Sequence, residues 1–216
     1  MRIMTAVLAV LAIMFGLHTR AVEHAGEVVC HRAIGSITID GKTDEPAWGQ
    51  AVRAGPLVTL GIRKAPEDDI THVRFCYDDQ ALYVAVSCRA GTPREALKKR
   101  AWDDGGVWRD DHLELFVNTR PDREEYQHLV LDRAGSQFDQ WRTDREGVTS
   151  GPAWNGKWNA VTVETDDGWS AEFALPHAVF ADASPQPGDL WRLRIGRDAG
   201  VDGPIMWPPN QSGSFH

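Results

Sequence analysis

The stretch "GWSAEFALP", Gly168 to Pro176, decides how the rest of the chain is read. In an extended strand successive side chains point to opposite sides. Trp169, Ala171, Phe173 and Leu175 therefore share one face, and Ser170, Glu172 and Ala174 the other. Burying the first face removes large apolar side chains from water, at about 1.5–3 kcal/mol for each. Pro176 ends the strand because it has no N–H to give to a ladder.

The same period-two alternation recurs outward from this stretch. It predicts strands at "GSITID" (35–40), "HVRFCY" (72–77), "ALYVAVSC" (81–88), "HLELFVN" (112–118), "EYQHLVLD" (125–132), "SQFDQWR" (136–142), "WNAVTVET" (158–165) and "LWRLRIGR" (190–197). Turn signals such as "YDDQ", "NTRPD", "DRAGS" and "TDDG" separate them. Short helical turns are expected at "EPAWGQA", "REALKKRA" and "HAVFA". The pattern is that of an all-β chain, an antiparallel β-sandwich of the immunoglobulin-like or jelly-roll kind. A length of 216 residues suits one domain with a sizeable core.

The N-terminus reads differently. Met1 and Arg2 precede the apolar run "AVLAVLAIMFGL" (6–17), and small-residue exits follow at Ala21 and Ala25. This is the layout of a secretory signal peptide, expected over residues 1–25, with the domain at 26–216. The run is too short for a comfortable transmembrane helix, and no later segment offers ~20 apolar residues. The mature protein is expected to be secreted or periplasmic and free of the membrane. Outside the cytoplasm disulfides persist. Cys76 falls on the opposite strand face from Cys88, which leaves Cys30–Cys88 as the favoured pairing and three unpaired thiols as the alternative. The chain carries 31 Asp and Glu against 23 Lys and Arg, a net charge of −8. Its basic residues are scattered apart from "REALKKR" (94–100), which argues against nucleic acid as a partner.

Candidate chemistry gathers in "GVWRDDHLELFVNTR" (106–120), where Asp110, Asp111 and Glu114 follow Trp108 and Arg109. A glycosidase would need two carboxyl groups facing each other across a cleft. On a strand, Asp111 and Glu114 point to opposite faces, so this trio is poorly built for that work, and no catalytic residue is assigned. Loop acids, Asp103 and Asp104 included, also suit Ca2+, although no EF-hand spacing is present. The histidines form no metal motif; His72, His112 and His128 sit singly within strands and read as exposed or satisfied residues. Trp108, Trp154, Trp158 and Trp207 lie in or beside loops, where an exposed ring can pack on the apolar face of a sugar.

Taken in order, "ITIDGKTDEPAW", "VRFCYDDQALYVAV", "WRDDHLELFVN", "YQHLVLDRAGSQFD", "GWSAEFALP" and "IMWPPNQSGSFH" resemble a family 9 carbohydrate-binding module in its broad sense. The resemblance spans nearly the whole mature chain. It implies a non-catalytic sandwich that binds a poly- or oligosaccharide, works beside polysaccharide-degrading enzymes and carries structural Ca2+. It places the first sugar-stacking ring at Trp108, the hydroxyl-binding glutamate at Glu114 and the second ring at Phe215, counted from the motif tryptophan Trp207. Arg109 and Arg197 become hydrogen-bond donors to the sugar. Two departures stand out: Leu129 replaces an arginine of the xylanase-linked members, and Ser212 an amide residue. The family pattern continues through an "FG" and a last strand, so a domain short of that strand is expected at His216. Two other readings remain. One is a small secreted hydrolase or lyase on the same fold. The other, by fold analogy, is a haem protein with Met206 and either His72 or His128 as axial ligands.

Overall fold

The computed structural model describes residues 28–60, 71–89, 106–143, 154–180, 185–200 and 203–209. In chain order the strands are β1 (His31–Arg32), β2 (Val52–Ala54), β3 (Val58–Thr59), β4 (Thr71–Tyr77), β5 (Ala81–Arg89), β6 (His112–Asn118), β7 (Glu125–Asp132), β8 (Gln137–Thr143), β9 (Asn159–Thr165), β10 (Gly168–Pro176), β11 (Arg192–Asp198) and β12 (Ile205–Trp207). A one-turn helix, α1 (Pro46–Gln50), precedes β2, and 3-10 turns occupy Val107–Arg109 and His177–Phe180. The expected signal peptide, the helix at 94–101, Asp103, Asp104, Ser212 and Phe215 lie outside the described residues.

Among the described residues, two six-stranded sheets face each other. The first runs β1-β4-β5-β10-β9, with β2 also on β4; the second runs β3-β12-β11-β6-β7-β8. Between them lie Val73, Phe75, Val84, Val86, Ala171 and Phe173 from the first sheet. Leu113, Leu115, Val117, Leu129, Leu131 and Ile195 come from the second. The strand at 168–176 has the expected bounds, and its Trp169–Leu175 face is the inner one. Its other face is also covered: Glu172 is fully buried.

What covers it corrects one expectation. Gly35–Asp40 is not a strand. The segment crosses the outside of the first sheet, and side chains answer its backbone donors: Glu45 Oε1 accepts from Thr38 N at 3.0 Å, and Glu172 Oε2 accepts from Asp40 N and Gly41 N, both at 3.0 Å. Trp48 of α1 packs with Cys76 and Ala85 on the same outer face and donates its indole N–H to Glu172 Oε1 at 2.7 Å. Gly41 must be glycine: its φ is +86°, and a Cβ there would lie 2.6 Å from Val163 Cγ2.

The cysteine pairing also differs. None of the three cysteines is joined in a disulfide. Cys88 stands opposite Thr71 at one end of the β4–β5 pair, whereas Cys30 enters beside the His31–Cys76 partners at the other end. Five residues of strand separate these ends, roughly 17 Å, and a disulfide needs Cα atoms within about 7 Å. Burial pushes the Cys30 thiol up to about 11 and, with the neighbouring charges of Cys30 and Asp78, Cys76 up to about 12.

Candidate functional site

The 3-10 turn at Val107–Arg109 delivers the chain onto the outer side of the second sheet. Val107 is buried there with Val130 and Phe138. Anchoring Val107 leaves the next residue, Trp108, projecting: it is 40% exposed, with its ring 4.7 Å from that of Phe138 and tilted by 59°. Arg109 is exposed in the same turn.

The strand alternation of β6 places His112, Glu114 and Phe116 on the same outer side. Register brings Val130 and His128 of β7 opposite Glu114 and Phe116, then Phe138 and Gln140 of β8 opposite Val130 and His128. The result is a buried chain of polar groups. His112 Nε2 lies 3.3 Å from Glu114 Oε1, His128 Nε2 lies 2.6 Å from Glu114 Oε2, and Gln140 Nε2 is 2.9 Å from His128 Nδ1. The His128 ring stacks on Phe116, 4.3 Å between centroids.

The partners fix the protons. His112 Nδ1 meets the Asp110 carbonyl at 2.9 Å while its Nε2 meets a carboxylate. Both partners only accept, so both ring nitrogens donate and His112 is an imidazolium. His128 Nε2 faces the same carboxylate, and its Nδ1 faces the Gln140 amide nitrogen. Burial alone would lower the His112 pKa, but the Glu114 and Asp110 hydrogen bonds and the charges of Glu114 and Asp198 raise it above its ordinary value. Burial alone would raise Glu114; the two histidine hydrogen bonds and their charge outweigh it and hold that carboxyl at about 2. An ionised carboxylate is therefore held on the same face of the sheet as the exposed tryptophan, with Tyr126 and Arg194 beside Phe116 and Gln140 beside His128, all three half-exposed.

Trp108, Arg109 and Glu114 thus gather at one face, and two other expected site residues lie elsewhere. Arg197 is fully buried in the sandwich: Nε and Nη2 donate to Asp111 at 2.8 and 2.6 Å, and Nη1 donates to Thr71 Oγ1 and the Arg89 carbonyl. Trp169 Nε1 donates to the same Asp111 at 2.8 Å. This network ties β11 of one sheet to β4, β5 and β10 of the other. Trp207 is buried, with its ring 6.4 Å from Phe75. Asp111 and Glu114 lie on opposite sides of the second sheet and share no cleft. Among the described residues no group of three or more His, Cys, Asp or Glu is arranged to hold a metal ion. With Asp111 committed to Arg197 and Glu114 to two histidines, these acids do not fit Ca2+. Met206 and His72 belong to different sheets, and both ring nitrogens of His128 are engaged, which leaves no axial pair for haem.

Sequence reading missed the histidine-carboxylate chain and the Phe138 support. The alternation already aligned His112 with Glu114, but His128 and Gln140 reach them only through cross-strand register.

The protein is thus a two-sheet, mostly antiparallel sandwich that carries an exposed aromatic ring and a buried polar network on the outer side of one sheet. The family described as "Carbohydrate family 9 binding domain-like" matches residues 39–196, most of the chain, and the chain belongs to it. Among solved structures, a carbohydrate-binding module family 9 from Caldicellulosiruptor kristjanssonii in complex with cellotriose is 16% identical, with 82% of each chain covered and a TM-score of 0.54. The same module in complex with glucose gives 16% identity, 82% of this chain and 83% of that one, and a TM-score of 0.54. A putative carbohydrate-binding protein from Bacteroides uniformis is 16% identical over 86% of this chain and 90% of its own, with a TM-score of 0.62. At this identity the likeness is one of fold. None of the curated proteins compared with the chain matches it.

Proposed function

We propose that this chain is an exported, non-catalytic carbohydrate-binding domain that receives a sugar on the Trp108 face of the second sheet. The observation that carries this reading is the exposure of Trp108 on a Phe138 support, on the same face of the second sheet as the ionised Glu114. The ring offers an apolar plane for the C–H face of a pyranose. The polar groups on the same face bind the hydroxyls. Family membership and the sugar complexes of the similarly folded module support the same reading. The domain acts beside enzymes that degrade the bound glycan, outside the cytoplasm.

Affinity electrophoresis through gels containing hydroxyethylcellulose, xylan, pectin or alginate tests the site. At least one polysaccharide should retard the mature protein and leave a Trp108→Ala variant running freely. Free migration in every gel, or equal retardation of the variant, overturns the assignment. Export is tested by the mass of the protein recovered outside the cytoplasm, which should begin just after Ala21 or Ala25.

A further inference from the structure

The outer face of the first sheet carries a recess of about 530 Å³, on the other sheet from Trp108. Its floor is the row His72, Ser87, Ser170 and Val163, side by side across β4, β5, β10 and β9. Lys42, Asp44, Arg89, Thr165 and Asp167 form its walls. Lys42 is answered by Asp40 at 3.1 Å and Arg89 by Asp167 at 3.7 Å.

Just outside the recess, beyond its His72 edge, the charges are not balanced in this way. Arg53 stands directly opposite Arg74 in the β2–β4 register, and Arg53 Nη2 donates to His72 Nδ1 at 3.1 Å. Accepting that bond keeps His72 neutral, in line with its lowered pKa, caused by burial and by the charges of Arg53 and Arg74. Neither arginine meets a carboxylate among the described residues. Arg74 is half-buried, and its pKa is lowered by that burial and then by Arg53. Like charges directly opposite on an antiparallel pair repel, and a desolvated cation without a counter-ion costs stability. In a chain of net charge −8 such a pair is out of keeping with its surroundings. An anion from outside would complete it, because two guanidinium forks match the paired oxygens of a carboxylate or sulfate.

We propose that this recess, together with the Arg53–Arg74 pair just beyond its His72 edge, is a second saccharide subsite that takes an acidic sugar, with Arg53 and Arg74 holding its carboxylate or sulfate and Ser87 and Thr165 facing its hydroxyls. It rests on the proposed function only in that the ligand is a saccharide; the site itself is independent of Trp108.

The test is titration calorimetry at low salt with an oligogalacturonate, a sulfated galactan oligosaccharide and neutral cellotetraose. Each ligand is titrated into wild type, Trp108→Ala, Arg53→Gln and the Arg53→Gln/Arg74→Gln double variant. At least one acidic ligand should bind wild type and Trp108→Ala alike, weaken as salt rises, and bind the double variant at least about tenfold more weakly, the loss expected for charge-assisted hydrogen bonds. The ligand that responds shows whether carboxylate or sulfate is preferred. The double variant should melt no lower than wild type, since a repulsion is removed; if it fails to fold, the exposed Arg53→Gln alone should still weaken binding. Acidic ligands that bind no more tightly than cellotetraose, or unchanged binding in the arginine variants, overturn the subsite. So does loss of acidic and neutral binding together in Trp108→Ala, which would mean a single site. Cellotetraose that binds no form of the protein, beside an acidic ligand lost only in the arginine variants, would leave the subsite standing and count against the Trp108 face.

Discussion

Two glutamates occupy matching places in the two sheets, and their surroundings drive them in opposite directions. Glu172 lies on β10 and Glu114 on β6; each is an interior strand, each side chain points away from the shared core, and each is buried. Glu114 meets two histidines and is held at about 2. Glu172 meets only neutral donors, the Trp48 indole and the backbone N–H groups of Asp40 and Gly41, with the like charge of Glu45 nearby. Burial dominates there, and the carboxyl rises to about 7. A neutral hydrogen bond stabilises a carboxylate less than a charged partner does, and in a dry site the difference decides which form exists. The Glu172 cluster is a clasp that fastens an irregular segment to the outside of the first sheet. The Glu114 cluster lies on the face that carries the exposed Trp108, and its two histidines keep it charged.

The sharpest way to probe this contrast is a third carboxylate whose partner is fully charged and fully buried. Asp111→Ala strands Arg197 and the Trp169 indole, and should cost about 3–5 kcal/mol in urea unfolding. A loss below 1 kcal/mol would mean that water reaches the guanidinium and that the inter-sheet pair contributes little. Glu172→Gln comes next. Its amide nitrogen must face at least one of the donors that Glu172 accepts from, so a loss of about 1–3 kcal/mol is expected by the same measurement.

The pH profile separates the two clusters by sign. Glu172 keeps its proton in the folded state above the ordinary 4.5, so its contribution is full below 4.5 and falls away as pH rises through 7. His112, with its raised pKa, likewise stabilises below 6.5 and loses that contribution above its folded pKa. Glu114 works the other way: its contribution is present above 4.5 and is lost as pH falls toward 2. The melting temperature should therefore peak near pH 4.5. Glu172→Gln should flatten the decline between 4.5 and 7, and Glu114→Gln should blunt the drop below 4.5. A wild-type profile that is level from 4.5 to 7 would break the contrast. The smallest stability effect belongs to Trp108→Ala, about 1 kcal/mol for its contact with Phe138, although its effect on sugar retardation should be the largest of all.

Eight of the expected strands were legible within a residue or two, because a two-residue period survives whatever packs against it. Gly35–Asp40 misled because alternation cannot report whether backbone donors are answered by a neighbouring strand or by the side chains of Glu45 and Glu172. Arg197 looked available to a sugar and Cys30 available to Cys88 for a related reason: strand spacing names a face, while the strand opposite and its register remain open.

By itself, then, the chain determined its strand positions, its sandwich class, and the approach of Trp108 and Glu114 through the short run that joins them. These are local facts of alternation and spacing. Only the tertiary structure decided that His128 reaches Glu114 across a strand pair, that Arg197 is consumed by Asp111, and that Arg53 faces Arg74. Those meetings join residues far apart in sequence, and the energies that govern them are of burial and charge, which are defined only once the sheets have closed on each other.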